Sequence, residues 1–258
     1  MIFMKVQKIR IPSSKGNLSS VISFTDPATK KLAILCPGYL DSKDYKGLKG
    51  LAQMLAKEGY TVVRFEPTGT WGSDGDISQY TTTQYLKDVK NVLAYMLKKF
   101  NFNHILIGGH SRGAHISLLY AERDPRISFV IGIMPSSKDT AIDDRYEQWK
   151  TKGFAVSYRD LPGHIARRIM FRVPFSHLED HLKYDVVKDV RKIRVPLILI
   201  AGKLDTICPP EGIKKIFDSA NEPKKFVIIP KIGHDYRYND NEVKVVDMAI
   251  LRLMKEME

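Results

Sequence analysis

Apolar and polar residues alternate twice near the start of the chain, from Val6 to Ile11 and from Leu18 to Phe24. Alternation with period two puts one face of a strand on a core and the other in solvent. Ser13-Ser14-Lys15-Gly16-Asn17 between the two segments is turn material, so the spacing predicts an antiparallel hairpin. Beyond it the pattern changes to short, unbroken apolar runs: Leu32 to Cys36, Tyr60 to Phe65, His104 to Gly108, Phe129 to Ile133, Val195 to Ala201 and Phe226 to Ile229. Runs of this kind suit strands covered on both faces. Helical stripes fill the gaps: Leu48, Leu51, Ala52 and Leu55; Leu86, Val89, Leu93 and Met96; Val243, Val246, Ile250 and Leu253. Gly59 stands where a glycine closes the first of these helices. The alternation predicts an α/β fold with a mostly parallel, doubly wound sheet behind an N-terminal hairpin.

One stretch breaks the rhythm. Between Ser136 and Arg194 no buried strand is evident, yet Trp149, Phe154, Tyr158, Ile169, Met170, Phe171, Phe175 and Tyr184 recur among charges. So long a segment inside a domain is a functional insertion or is disordered, and the aromatic content argues against disorder. It reads as a cap inserted at about residues 137–192, over the carboxyl edge of the sheet where ligands bind in such folds. The 258 residues, 43% of them hydrophobic, fit a single domain with a full core over 1–258.

Composition narrows the class. No apolar stretch reaches membrane-spanning length, and Met1-Ile2-Phe3-Met4-Lys5 is charged too soon for a secretory signal, so a cytoplasmic protein without membrane partners is expected. Cys36 and Cys208 make no disulfide framework and are expected as buried thiols. The net charge of +12 raises the question of nucleic acid. The basic residues are dispersed, however: Lys87 and Lys90 flank Asp88, and Lys244, Arg252 and Lys255 mix with Glu242, Asp247 and Glu256. No basic stripe is interleaved with stacking aromatics, so a solvated surface and no nucleic-acid partner are expected.

The chemistry is carried by Gly109-His110-Ser111-Arg112-Gly113, which follows an apolar run and precedes a helical stretch. Strand, sharp turn and helix would expose the Ser111 hydroxyl at the top of the sheet, with glycines on either side of the tight turn. A serine hydroxyl needs a base to take its proton, and the base needs an acid to fix its tautomer. Asp205 follows the run ending at Ala201, and His234 follows the run ending at Ile229. The order Ser111, Asp205, His234 is that of nucleophile, acid and base in α/β-hydrolases. Asp235 is a rival acid, and Asp139, Asp143 and Asp144 are weaker rivals at the cap entrance. For the oxyanion, the backbone N–H of Arg112 and that of Tyr39, in the loop Cys36-Pro37-Gly38-Tyr39-Leu40, are the candidate donors. Gly38 there would permit close approach of substrate. Activity is expected to fall on acidification as His234 takes up a proton.

These residues make the chain resemble a serine α/β-hydrolase, of the kind of the small carboxylesterases that include the cinnamoyl and feruloyl esterases, over nearly its whole length. Phe65-Glu66-Pro67-Thr68-Gly69-Thr70-Trp71-Gly72-Ser73-Asp74-Gly75 resembles a loop that in the family often reads Asp-x-Arg-Gly-His-Gly-x-Ser. Here Glu66, Thr68 and Thr70 differ, and Pro37-Gly38 stands where His-Gly is usual. The resemblance implies a small-molecule ester substrate, an acyl-enzyme, no metal or organic cofactor, and a cap that shapes the pocket, with Trp71 a candidate substrate contact. Peptidase, thioesterase or acyltransferase chemistry with the same three residues stays open, as does a non-catalytic hydrolase-like binding protein. His177 and His181 are spaced as metal ligands on one helix face, but no third ligand is evident and surface histidines are expected. Arg167, Arg168 and Arg172 read as a solvated face, and the side chains of His110 and Arg112 as structural.

Overall fold

The predicted hairpin opens the sheet. In the computed structural model, which describes residues 4–137 and 146–257, β1 (Lys5–Ser13) and β2 (Gly16–Phe24) pair antiparallel with Ile11 opposite Leu18. Both of those side chains are fully buried, whereas most of β1 is exposed as a sheet edge. There follow β3 (Lys31–Cys36), α1 (Lys46–Lys57), β4 (Tyr60–Phe65), α2 (Thr82–Lys99), β5 (His104–His110), α3 (Arg112–Ala121) and β6 (Phe129–Ile133). The next elements are α4 (Tyr146–Lys152), β7 (Phe154–Leu161), β8 (His164–Pro174), α5 (Ser176–His181) and α6 (Val186–Asp189). The chain closes with β9 (Leu197–Gly202), α7 (Pro210–Ser219), β10 (Lys224–Ile229) and α8 (Asp240–Lys255).

Eight strands form one sheet in the order β1-β2-β4-β3-β5-β6-β9-β10, parallel from β4 onward. Its central strands are buried along their whole length, which is why they read as unbroken apolar runs. The stripes Leu48, Leu51, Leu55 on α1 and Val89, Leu93, Met96 on α2 all lie in the core. Gly59 has φ +85°, the left-handed turn that ends α1 and starts β4. The α/β-hydrolase fold expected from the sequence is the fold observed. Among the described residues no helix is long and apolar enough to cross a membrane.

The segment between β6 and β9 differs from its sequence reading. It contains two strands, β7 and β8, paired antiparallel in a separate two-stranded sheet with an irregularity at Asp160/Leu161. Their inner face buries Phe171 and Val173, but Val156, Tyr158, Ile165 and Met170 are apolar and exposed. Apolar residues on both faces erase the period-two signal. Asp139, Asp143 and Asp144, and the start of the predicted insertion, lie outside the described residues.

Candidate active site

β5 and α3 are joined by one residue, Ser111, held at φ 53° and ψ −118°. A serine at positive φ is strained and persists only where its surroundings fix it. Here Ser111 N–H donates to Ile133 O at 2.8 Å, and Ser111 O accepts from His115 N at 3.0 Å. A Cβ on either Gly109 or Gly113 would collide with the carbonyl oxygen of Cys36 at the end of β3. Glycine at both positions is therefore a packing requirement, and it lets the elbow seat directly on the neighbouring strand.

Asp205 lies in the loop after β9 and His234 in the loop after β10. His234 Nε2 is 3.0 Å from Ser111 Oγ, and His234 Nδ1 is 2.8 Å from Asp205 Oδ2. A carboxylate only accepts, so Nδ1 carries the proton and Nε2 faces the hydroxyl as an acceptor. The side chain of Asp205 is fully enclosed, and its Oδ1 accepts from the backbone of Ile207 at 2.9 Å and Cys208 at 2.8 Å. Both carboxylate oxygens are thus fixed. The rival Asp235 is exposed, with Arg237 Nε 3.6 Å from it. His110 lies under the site, its ring centroid 4.7 Å from that of His234. Burial lowers the pKa of His110, so an uncharged ring backs His234, while Asp41 Oδ2 sits 3.7 Å from its Nδ1.

Ser111 opens into a cavity of about 540 Å³. Tyr39 and Arg112 line it, as do Trp149, Phe154, Val156, Leu178 and Ile207. Most of these apolar contributors come from the segment between β6 and β9, where the excess of aromatics was the only sequence signal for them. The loop carrying Tyr39 is held from several sides. Tyr85 Oη donates to Pro37 O at 2.9 Å, Leu40 N–H to Tyr80 Oη at 3.1 Å, and Arg159 of β7 to Tyr39 O at 3.0 and 3.2 Å.

Other residues singled out from the sequence take the following places. Gly38 lines a separate small cleft with Asp41, His110 and Arg237, and a Cβ there would meet the Asp41 carboxylate. Trp71 is not among the residues lining the Ser111 cavity. Its indole donates to Leu40 O at 2.9 Å and packs edge-on against Tyr45 and Phe171. His177 and His181 are buried, not superficial, and both line the cavity. His177 Nδ1–H donates to Tyr80 O at 2.5 Å. Arg167, Arg168 and Arg172 are exposed, and both cysteines are buried free thiols.

The substituted loop has its own logic. Glu66 accepts from Ser42 Oγ at 2.9 Å and from Gly72 N at 2.9 Å. Thr68 donates from N and Oγ1 to Asp88, at 2.8 and 2.9 Å, tying the loop to α2. Asp205, Cys208 and His234 bring ligand-capable atoms within 4.8 Å of one another. Burial and the charge of Asp205 push the Cys208 thiol up to about 12, so it is protonated beside the triad.

Residues 27–171, more than half of the chain, match the family model Hydrolase_4, serine aminopeptidase, S33. The chain belongs to that family. Within it and around it the named relatives are diverse. The palmitoyl-protein thioesterase ABHD10, mitochondrial, of Mus musculus is 24% identical over 216 residues, 80% of this chain and 69% of that protein. The polyketide transferase grgF of a Penicillium species is 23% identical over 250 residues, 81% of this chain and 83% of that protein. Among solved structures, the ferulic-acid-bound Est1E of Butyrivibrio proteoclasticus superposes with a TM-score of 0.78 at 19% identity, covering 96% of this chain and 98% of that one. Membership of the Hydrolase_4 family makes the chain a hydrolase of α/β-hydrolase fold.

Proposed function

We propose that this protein is a serine esterase acting on small-molecule carboxylic esters through an acyl-enzyme. The observation that carries the reading is the unbroken hydrogen-bonded line from Ser111 Oγ through His234 to Asp205, at 3.0 and 2.8 Å. Ser111 Oγ attacks the ester carbonyl while His234 Nε2 takes its proton. The tetrahedral oxyanion is received by the backbone N–H groups of Tyr39 and Arg112. As the carbon–oxygen bond breaks, the imidazolium returns the proton to the leaving alcohol. Asp205 stabilises that imidazolium throughout. Water then attacks the acyl-enzyme with His234 as base, releasing the acid and restoring Ser111. The segment between β6 and β9 serves as the cap, supplying the apolar wall that holds the acyl or alcohol portion.

A second reading has support in the relatives named above, one a thioesterase and one a transferase. The same three side chains would then open an acyl thioester, or pass the acyl group to an acceptor other than water. A panel of aryl esters, acyl thioesters and aminoacyl arylamides separates these activities by relative kcat/KM. Ser111→Ala should lower turnover on the best substrate by about 10⁶-fold and abolish labelling by a fluorophosphonate probe. A fully active Ser111→Ala protein, or a wild-type protein that the probe does not label, removes the proposal and favours a binding protein of hydrolase fold.

A further inference from the structure

Arg112 lines the cavity beside Ser111, and among the described residues its guanidinium has no counter-ion. Arg112 is 3% exposed, and its guanidinium offers five N–H donors in one plane. One nitrogen reaches Thr82 Oγ1 at 3.3 Å and another reaches His181 Nδ1 at 3.5 Å, both uncharged acceptors. The enclosed Nε–H has no acceptor among the described residues. The face of Tyr80 lies 4.9 Å from the guanidinium carbon. Among the described residues no carboxylate pairs with Arg112, and none of the residues lining the cavity is acidic.

The three histidines around Arg112 supply no negative charge. His115 Nδ1–H donates to Ser136 O at 2.9 Å, His177 Nδ1–H to Tyr80 O at 2.5 Å and His181 Nε2–H to Ser137 O at 3.5 Å. Each ring thereby has its second nitrogen free of a proton. Burial, with the nearby Arg112 charge adding to it, drives all three below the ordinary histidine range, His115 to about 4. A charge taken out of water is costly unless a partner of opposite sign meets it. The protein has built the cation and its neutral frame, and the lining adds Lys152 at the exposed rim.

We propose that Arg112 is the anchor for an anionic group, a carboxylate or a phosphate, carried by the substrate. This rests on the serine-esterase reading of the same site. The planar guanidinium fork matches two oxygens of such a group, which an uncharged amide or alcohol does not reproduce. Because Arg112 follows Ser111 directly, the anchor and the reacting hydroxyl address two ends of one short substrate. The favoured substrates are therefore esters or thioesters whose acyl or alcohol half ends in an anion.

The test compares three p-nitrophenyl esters of matched length: hemisuccinate, its neutral succinamate analogue, and the 3-phosphonopropionate. Wild type should prefer the anionic esters over the succinamate by about tenfold or more in kcat/KM. Arg112→Gln should collapse that ratio toward unity, and Arg112→Lys should retain part of it. In parallel, glutarate and inorganic phosphate are titrated into folded Ser111→Ala protein by calorimetry, with binding expected and its loss expected in the Ser111→Ala, Arg112→Gln double variant. Which of the two anions binds assigns the class. Equal turnover of charged and neutral esters by wild type, or an unchanged ratio in Arg112→Gln, overturns the anchor. If the fluorophosphonate probe still labels Ser111 in that case, the esterase reading survives without it. If the probe fails to label but glutarate or phosphate binds through Arg112, the anchor stands and the esterase reading falls.

Discussion

Buried acids show how a single residue sets the response of this fold to pH. Asp247 on α8 faces α1, where a Cβ on Gly50 would lie 2.8 Å from its Oδ2, and its Oδ1 has no partner among the described residues. Burial pushes its carboxyl up from 3.8 to about 7. A value raised on folding means that the folded chain retains a proton the unfolded chain has already released. The contribution to stability is therefore full below about pH 4 and is lost as pH rises through about 7. Asp247→Asn removes that loss. It should be more stable than wild type at pH 8 by about 2–4 kcal/mol, with the gap closing near pH 4. Thermal denaturation at the two pH values measures it, and a variant less stable than wild type at pH 8 would count against this account. Asp88 is raised to about 6 for the same reason, but the bonds from Thr68 and Gln84 compensate it in part.

At the scale of elements, the β7–β8 hairpin is fastened to the core at its irregularity. Asp160 accepts from Arg237 at 2.8 and 3.0 Å and from Tyr238 Oη at 2.8 Å, while its backbone oxygen accepts from Tyr45 Oη at 2.7 Å. Burial alone would raise the Asp160 carboxyl, yet the bonds and charge of Arg237 outweigh it and hold it below its ordinary value. Asp160→Ala leaves Arg237 without its carboxylate and should cost about 3 kcal/mol. Limited proteolysis should then cut first within 154–174, and an unchanged cleavage pattern would show that the clamp is not what seats the hairpin. This hairpin was also the least legible part of the sequence. Strands buried on both faces announce themselves as apolar runs, and β3 to β6 were read within a residue or two. β7 and β8 carry Tyr158 and Met170 on the outer face and Phe171 on the inner one, so no alternation survives. The same effect hid His177 and His181: a histidine in a helix gives no sign that the helix will face a cavity.

For the molecule as a whole, the net charge of +12 coexists with many ion pairs at the surface. Exposed lysines and arginines pair with acids across it, as in Lys46 with Asp240, Lys214 with Asp218 and Arg252 with Glu256. Fluorescence anisotropy with single-stranded and duplex DNA should show no binding that weakens with salt, and a steep salt slope would instead indicate a contiguous phosphate-binding face. The mostly parallel, doubly wound sheet was legible because apolar runs alternate with helical stripes, the first of them closed by Gly59. The meeting of Ser111, Asp205 and His234 followed from that parallel sheet, since loops at the same ends of β5, β9 and β10 converge. The surroundings of Trp71 and Gly38 were not legible, because side-chain packing that no spacing encodes sets them.

The collision that excludes a side chain at Gly113 has one more effect. It seats the serine elbow on the end of β3, whose next residues carry Tyr39, so alcohol and amide ride on a common foundation. Asp205 and His234 belong to another footing nearer the rim of the sheet, where Leu204 N–H ties their two loops together through Ile232 O at 2.9 Å. The two halves meet where imidazole reaches hydroxyl and where the ring of His110 lies against that of His234. β6 lies between them and pairs with both β5 and β9, so one continuous sheet sets the distance across that junction.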